Sequence, residues 1–298
     1  MDQQTAEAIG KWKEFRYRPG DLPFATAVKS LLGNDPLIEV HQSKTRKTDW
    51  QICVVGSQTP ANFVYAGVFA EADPYETGNF VWGDAPADPR LPQSRIARYP
   101  GFKAAYSYAI ETYHEKEIWE LQAILDDHMG SVRGFNTRGV KRRLWQNGTT
   151  WHLRYYFHTP MFLTNESRVG QPPAPEGLHE WVVAAHNKSK LYRANPIRPA
   201  VCGLEGGRMR KIADCTPDVL EYGDVVNLVF TLAYVEDRDN WGPVPFVSHI
   251  IRVQHANRVA YPLTACVDVD TRPSDEGALV IGAVVDTEAA ASESATVE

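Results

Sequence analysis

The sequence lacks long hydrophobic runs, clustered cysteines and, in its first residues, the pattern of a secretory signal, and each absence limits what we expect of the chain. No run approaches the roughly 18 apolar residues of a membrane helix, and residues 1–5 carry neither the basic nor the apolar region of a secretory signal. The cysteines are widely spaced without a Cys-x-x-Cys pair, which indicates reduced thiols rather than a zinc site. We therefore expect an intracellular protein, nuclear or cytoplasmic, that is not secreted and has no membrane partner.

Motifs of the common enzyme classes are also missing. The chain contains no Gly-x-Ser-x-Gly, His-Glu-x-x-His or Gly-x-Gly-x-x-Gly pattern, and no Gly-Lys-Ser/Thr ending of a phosphate-binding loop. Neither His114 with Glu117 nor the run 126–128 has the spacing of a recognised ligand set. We expect no catalytic residues, no metal site and no cofactor, and hence a protein that is not an enzyme.

What the sequence does contain is a local reversal of charge. The formal net charge is −6, yet residues 133–158 hold six Lys/Arg and no Asp or Glu, together with five aromatic residues beyond Phe135. Two β-prone runs within this stretch flank Asn147-Gly148, a dipeptide typical of tight hairpin turns because both of its positions tolerate φ > 0. We therefore predict a β-hairpin around this turn.

The period of two in a strand sorts the side chains of this hairpin onto two faces. One face is apolar and includes Leu153 and Tyr155. The other is cationic and aromatic, and its candidate nucleic-acid-binding residues are Lys141, Arg143, Trp145, His152, Arg154 and Tyr156. Such a face suits a single-stranded polyanion, since cations neutralise phosphates and aromatic rings stack on bases.

A second basic region follows at residues 188–211, with seven Lys/Arg against Glu205 alone. Its end alternates cationic with apolar residues, which predicts an edge strand with one cationic face. The candidate binding residues here are Arg208, Arg210 and Lys211. The preceding pair Gly206-Gly207 lets backbone approach closely, but no nucleotide-binding pattern accompanies it.

The acidity of the chain is concentrated at its end. Residues 267–298, here called the acidic tail, contain eight Asp/Glu and one Arg among small residues. This composition predicts disorder. We expect either a solubilising terminus, a tether for a protein partner, or an internal polyanion that competes with nucleic acid for the basic face.

The remaining patterns predict a β-rich α+β fold. A peripheral N-terminal segment (1–36) precedes a single core domain (37–266), and the acidic tail follows. Predicted elements are strands at 37–42, 50–55, 63–70 and 181–185, a hairpin of 225–236 with 244–254, and one long amphipathic helix at 102–128. Long Pro/Gly-rich loops occupy 73–100 and 170–177.

One pair of segments resembles a known family. Residues 222–235, which begin Tyr-Gly-Asp and continue as a long apolar strand, and residues 247–253 after a turn are similar to the late strands of OB-fold single-stranded-DNA-binding proteins. The acidic tail is similar to theirs, although it lacks a terminal aromatic residue. The resemblance implies an OB-like antiparallel barrel with insertions that binds oligonucleotides on one face.

Together these features predict non-sequence-specific binding of single-stranded nucleic acid, with DNA favoured over RNA and homo-oligomers allowed. Two other classes stay open. A self-assembling structural or viral coat-like protein also fits a β-rich chain with a basic face. A non-catalytic carbohydrate- or protein-binding module would use exposed tryptophans, namely Trp82, Trp145, Trp151 and Trp241. An ordinary soluble sheet face, paired with acidic helix residues, accounts for the cations as well.

Overall fold

The computed structural model describes residues 1–44, 46–80, 104–143, 153–164, 172–189 and 191–256. Over these residues the protein is a sheet-rich α+β fold with four α-helices, as the sequence predicted in outline. The acidic tail lies outside the described residues. The elements, in chain order, are α1 (Gln3–Lys13), β1 (Leu22–Pro23), α2 (Phe24–Lys29), β2 (Ile38–Gln42), β3 (Asp49–Val54), β4 (Phe63–Ala72), β5 (Ala105–Glu111), α3 (Glu117–Ser131), β6 (Lys141–Arg142), β7 (Arg154–Pro160), β8 (Phe162–Thr164), α4 (Glu180–Lys188), β9 (Tyr192–Ala194), β10 (Ala200–Glu205), β11 (Arg208–Lys211), β12 (Val225–Glu236) and β13 (Asn240–Gln254).

The described residues group into two compact units. The first comprises residues 1–71, 108–157 and 199–256, and the second comprises 72–107 and 158–198, each within the described ranges. The domain boundaries predicted after residues 36 and 266 remain predictions.

A large mixed sheet dominates the fold, in the strand order β11-β10-β13-β7-β5-β4-β12-β3-β2. β12 is antiparallel to β13, β4 and β3, whereas β10 and β6 are both parallel to β13. The mixed sheet agrees with the predicted β-rich fold, but the prediction was an antiparallel barrel and this sheet also contains parallel pairs. The OB-like barrel is therefore not confirmed.

The hairpin of β12 and β13 is confirmed, and each of its strands also pairs with at least two further strands of the sheet. The two strands pair from Val225↔Gln254 to Glu236↔Trp241. Nearly all of their residues are buried on both faces. Phe230 on β12 packs against three other rings, with centroid distances of 5.2 Å to Phe24, 5.7 Å to Phe63 and 5.0 Å to Phe157.

The N-terminal segment, expected to be peripheral, contributes to the core. The Asp2 carboxylate caps α1 by accepting a hydrogen bond from the Thr5 backbone N–H at 2.8 Å. Trp12 near the end of this helix is 1% exposed, and its carbonyl accepts a 2.7 Å hydrogen bond from the Asn227 side-chain amide on β12. α1 is thus fixed to the central strand by both apolar packing and a buried polar contact.

The predicted helix over residues 102–128 is wrong in its first half. Ala105–Glu111 forms β5, and the helix runs over Glu117–Ser131 instead. Tyr106 and Tyr108 alternate with half-buried residues and are themselves buried, as a strand between two neighbours requires. Residues 101–103 lie outside the described residues. Only the carboxyl-terminal part of the predicted helix is confirmed.

The second unit contains the other correction. Residues 181–185, expected to be a strand, belong to helix α4, which begins after His179; its ring Nδ1 accepts from the Trp181 backbone N–H at 3.3 Å. β8 and β9 form a separate antiparallel pair. His186 on α4 connects β9 with the loop before this helix, because its Nδ1 accepts from the Ala194 backbone N–H at 2.9 Å while Nε2 donates to the Pro172 carbonyl at 2.8 Å.

Candidate nucleic-acid interface

The first group of predicted cations lies beside the β12–β13 turn. Lys141 on β6 is exposed, and β6 pairs in parallel with the start of β13. The Arg143 Nη2 lies 2.5 Å from the Asp237 carboxylate, and its Nε donates to the Asn240 side-chain oxygen at 2.6 Å. Arg143 is therefore exposed but already neutralised by an acidic partner.

The pairing of β6 with β13 corrects the predicted hairpin of residues 140–158. The described part of its first strand, β6, is hydrogen-bonded to β13 rather than to β7. The turn Asn147-Gly148 and two candidate residues, Trp145 and His152, lie outside the described residues. Their predicted roles stay predictions.

The second group lies on β7, and its predicted alternation is confirmed. Tyr155 and Phe157 are buried, whereas Arg154 and Tyr156 are half-buried on the opposite face. The Arg154 guanidinium donates to one carboxylate oxygen of Glu71, and the Tyr156 hydroxyl donates to the other. Burial and the Glu71 carboxylate raise the pKa of Tyr156. Glu71 thus offsets the charge that the sequence assigned to a phosphate.

The third group lies on β11, at one end of the strand order. Arg208, Arg210 and Lys211 are exposed, and Met209 between them is 1% exposed. The predicted cationic edge strand is therefore confirmed as a structural element. Lys211 shares the strand face of Met209 rather than that of the two arginines, because side chains alternate along a strand.

A tight turn positions β11 against β10. Gly206 and Gly207 have φ values of 58° and 78°, and the flanking residues Glu205 and Arg208 are directly paired. Two consecutive positive φ angles are the requirement of a type I′ turn, which the Gly-Gly pair meets without strain. The turn therefore explains why both residues are glycine. The sequence alone also allowed the alternative that the glycines let backbone approach a phosphate.

A row of three residues extends the arginine face of β11 across the sheet. Arg210 is paired with Gly203 on β10, and Gly203 is paired with Arg252 on β13. The Cys215 thiol covers Gly203, where a Cβ atom would lie 2.7 Å from its sulfur. Burial and Glu205 raise the pKa of this thiol. The thiol therefore fills space beside Arg210 rather than adding negative charge.

Arg252 is the cation in this row that sequence patterns did not single out. It is 5% exposed and donates to the carbonyls of Val219 and Pro217, both at 2.7 Å. The buried Asp224 carboxylate lies 3.9 Å away. Arg252 therefore fixes the segment before β12 and does not reach solvent. No local motif distinguishes such a buried arginine from an exposed one.

Within the described ranges, no group of three or more His, Cys, Asp or Glu side chains is placed to hold a metal ion. No helix of the described part of the chain is both long enough and apolar enough to span a membrane. The three cationic groups lie on or beside three different strands, and the group on β11 presents three exposed cations within four residues.

Comparisons with known proteins do not assign the chain. No protein-family model matches it, and no curated protein matches it.

Proposed function

We propose that the protein binds single-stranded nucleic acid without sequence preference, with DNA favoured over RNA. The single observation that carries this proposal is the exposure of Arg208, Arg210 and Lys211 within the four residues of β11. Arginine and lysine near a backbone of phosphates release condensed counterions, which supplies most of the affinity of non-specific binders. The resemblance of residues 222–254 to single-stranded-DNA-binding proteins favours DNA.

The other candidate residues have different roles in this proposal. Lys141 is exposed and contacts phosphate directly. Arg143 and Arg154 reach phosphate only by exchanging their partners Asp237 and Glu71. Trp145 and His152, together with Tyr156, complete the proposed interface through stacking and hydrogen bonding.

The pairing of five strands supports keeping an OB-like core within the proposal. β4 pairs with β12 and β5, β5 also pairs with β7, β7 with β13, and β13 with β12. These five pairings form a circuit, and five is the strand number of an OB-like barrel. The function itself depends on the exposed cations and not on this assignment.

The test is fluorescence anisotropy with a labelled oligo-dT across a salt series. The wild-type protein should bind at low salt and weaken steeply as salt rises, because each phosphate contact contributes a slope of about −0.7 for a single strand. The variant Arg210→Ala with Lys211→Ala should reduce that slope by about 1.4. Lys44→Ala with Lys47→Ala is the matched control, since it removes two exposed positive charges beside β2, at the opposite end of the strand order.

The outcomes separate the proposal from its alternatives. Loss of affinity in the β11 variant with little change in the control supports it. Absence of binding by the wild-type protein at low salt would remove the proposed function. Equal losses in both variants would show attraction by overall charge rather than a site on β11.

A further inference from the structure

The outer edge of β11 is open among the described strands. β11 ends the strand order and pairs only with β10 on its inner side. Backbone N–H and C=O groups of successive residues point alternately to the two sides of a strand, so half of those in β11 point away from β10. Such an edge accepts an added extended segment by main-chain hydrogen bonding.

The charges beside this edge specify the kind of segment that fits. Arg210 and Lys211 are exposed on opposite faces of the strand, so both faces beside the open edge are positive. Opposite charges that face each other across paired strands are favourable, and like charges are unfavourable. An acidic extended segment is therefore favoured, whereas a second copy of β11 itself is disfavoured.

The chain contains such a segment at the start of its acidic tail. Residues 267–270 read Val-Asp-Val-Asp, which places Asp268 and Asp270 two residues apart, the same interval as Arg208 and Arg210 on β11. A period of two puts both carboxylates on one side of an extended chain and both valines on the other. These four residues lie outside the described part of the protein.

The described chain ends within reach of this edge. β10 lies between β13 and β11, and Arg252, near the end of β13, is in register with Gly203 and Arg210. Adjacent strands are about 4.8 Å apart, so the end of β13 and the open edge are separated by roughly 10–15 Å. The ten residues 257–266 can span at most about 33 Å. The length of chain is sufficient.

We infer that residues 267–270 of the acidic tail dock on the open edge of β11, with Asp268 and Asp270 facing its arginines. The docked segment covers Arg210, which the proposed function assigns to phosphate. Under that function, the tail and a single strand compete for β11.

Hydrogen–deuterium exchange of the full chain tests the docking without nucleic acid. The variant Asp268→Asn with Asp270→Asn keeps side-chain size and should speed exchange of the outward amides of β11 by about fivefold, through loss of two cross-strand charge pairs. Glu288→Gln with Glu293→Gln removes the same charge from the same tail and should leave exchange unchanged. Arg210→Glu should match the Asp268/Asp270 variant.

Equal exchange in the wild type and the Asp268/Asp270 variant would overturn the docking. Equal acceleration by both tail variants would also overturn it, because it would indicate a general charge effect. Anisotropy is measured separately, so failure to bind oligo-dT removes the proposed function but not the docking. Where oligo-dT does bind, tighter binding by the Asp268/Asp270 variant alone supports competition.

Discussion

Replacing Glu71 with glutamine should strengthen binding to single strands if β7 belongs to the interface. The Glu71 carboxylate accepts hydrogen bonds from Arg154 and Tyr156, two candidate binding residues. The side chains of Glu71 and Arg154 are 42% and 36% exposed, and a salt bridge this solvated contributes only about 0–1 kcal/mol to stability. The variant should therefore fold normally while removing the negative charge of Glu71 beside Arg154.

The expected magnitude follows from counterion release. One additional phosphate contact changes the slope of log K against log salt by about −0.7 for a single strand, which at about 0.1 M salt corresponds to roughly fivefold tighter binding. The gain should shrink toward higher salt. Anisotropy with labelled oligo-dT at several salt concentrations measures both the affinity and the slope.

Asp35→Asn is the matched control, because it removes one negative charge from an exposed loop residue remote in sequence from the candidate strands. If the control gains as much affinity as Glu71→Gln, the effect is long-range electrostatics. If Glu71→Gln leaves both affinity and slope unchanged, Arg154 does not contact phosphate, and β7 must be removed from the proposed interface.

Three further predictions concern stability. Phe157→Ala should cost about 3–5 kcal/mol in denaturant unfolding, and Leu153→Ala distinctly less, since Phe157 is fully buried and Leu153 half-buried; equal costs would contradict this assignment of the β7 faces. Gly203→Ala should cost about 1–3 kcal/mol by forcing a Cβ against the Cys215 thiol, and adding Cys215→Ala should restore most of it; a double variant no more stable than the single one would refute the steric cause. Burial and Arg18 lower the pKa of His249 to about 4, so the stability contributed by the neutral ring is present above pH 6.5 and is lost at about 1.4 kcal/mol per pH unit as pH falls toward 4. His249→Gln should flatten this pH dependence in melts measured across the pH range, and an unchanged slope would contradict the assignment to His249.

The central hairpin was predictable because its information is local. Val226, Leu228 and Phe230 on β12 are part of a long β-prone strand, and a short polar turn leads directly to its partner. The cationic edge of β11 was predictable for the same reason, since Met209 alternates with charged neighbours. In both cases the period of two is visible within a few residues.

β5 shows why another element was not predictable from such patterns. Its residues fit both the helical period of 3.6 and the strand period of two, because Tyr106 and Ala109 are three residues apart while Tyr106 and Tyr108 are two apart. The strand forms because β5 pairs with β4 and β7. These partners are distant in sequence, so the local pattern of residues 105–111 does not reveal them. α4 was missed because His179 caps it, whereas Ser, Thr, Asp and Asn are the usual capping signals.

The prediction of the candidate site failed for a similar reason, because the acidic partners of its cations are distant in sequence. The partners of Arg143 and Arg154 are Asp237 and Glu71, each more than 80 residues away along the chain. A sequence shows how many cations a segment holds but not which of them folding neutralises. The proposal therefore depends on the observed exposure of the β11 cations and not on the larger number of cations in residues 133–158.

The position of the β12–β13 hairpin late in the chain has a consequence for synthesis. β3 and β4 are complete when residue 72 is made, but both take β12 as a partner, and β13 ends at Gln254. At ~5–20 residues per second, the intervening residues take roughly 10–40 s to translate. For that time the emerging chain exposes the strand edges of β3 and β4 that β12 later covers, together with their apolar side chains, so a nascent-chain chaperone has a defined interval in which to act.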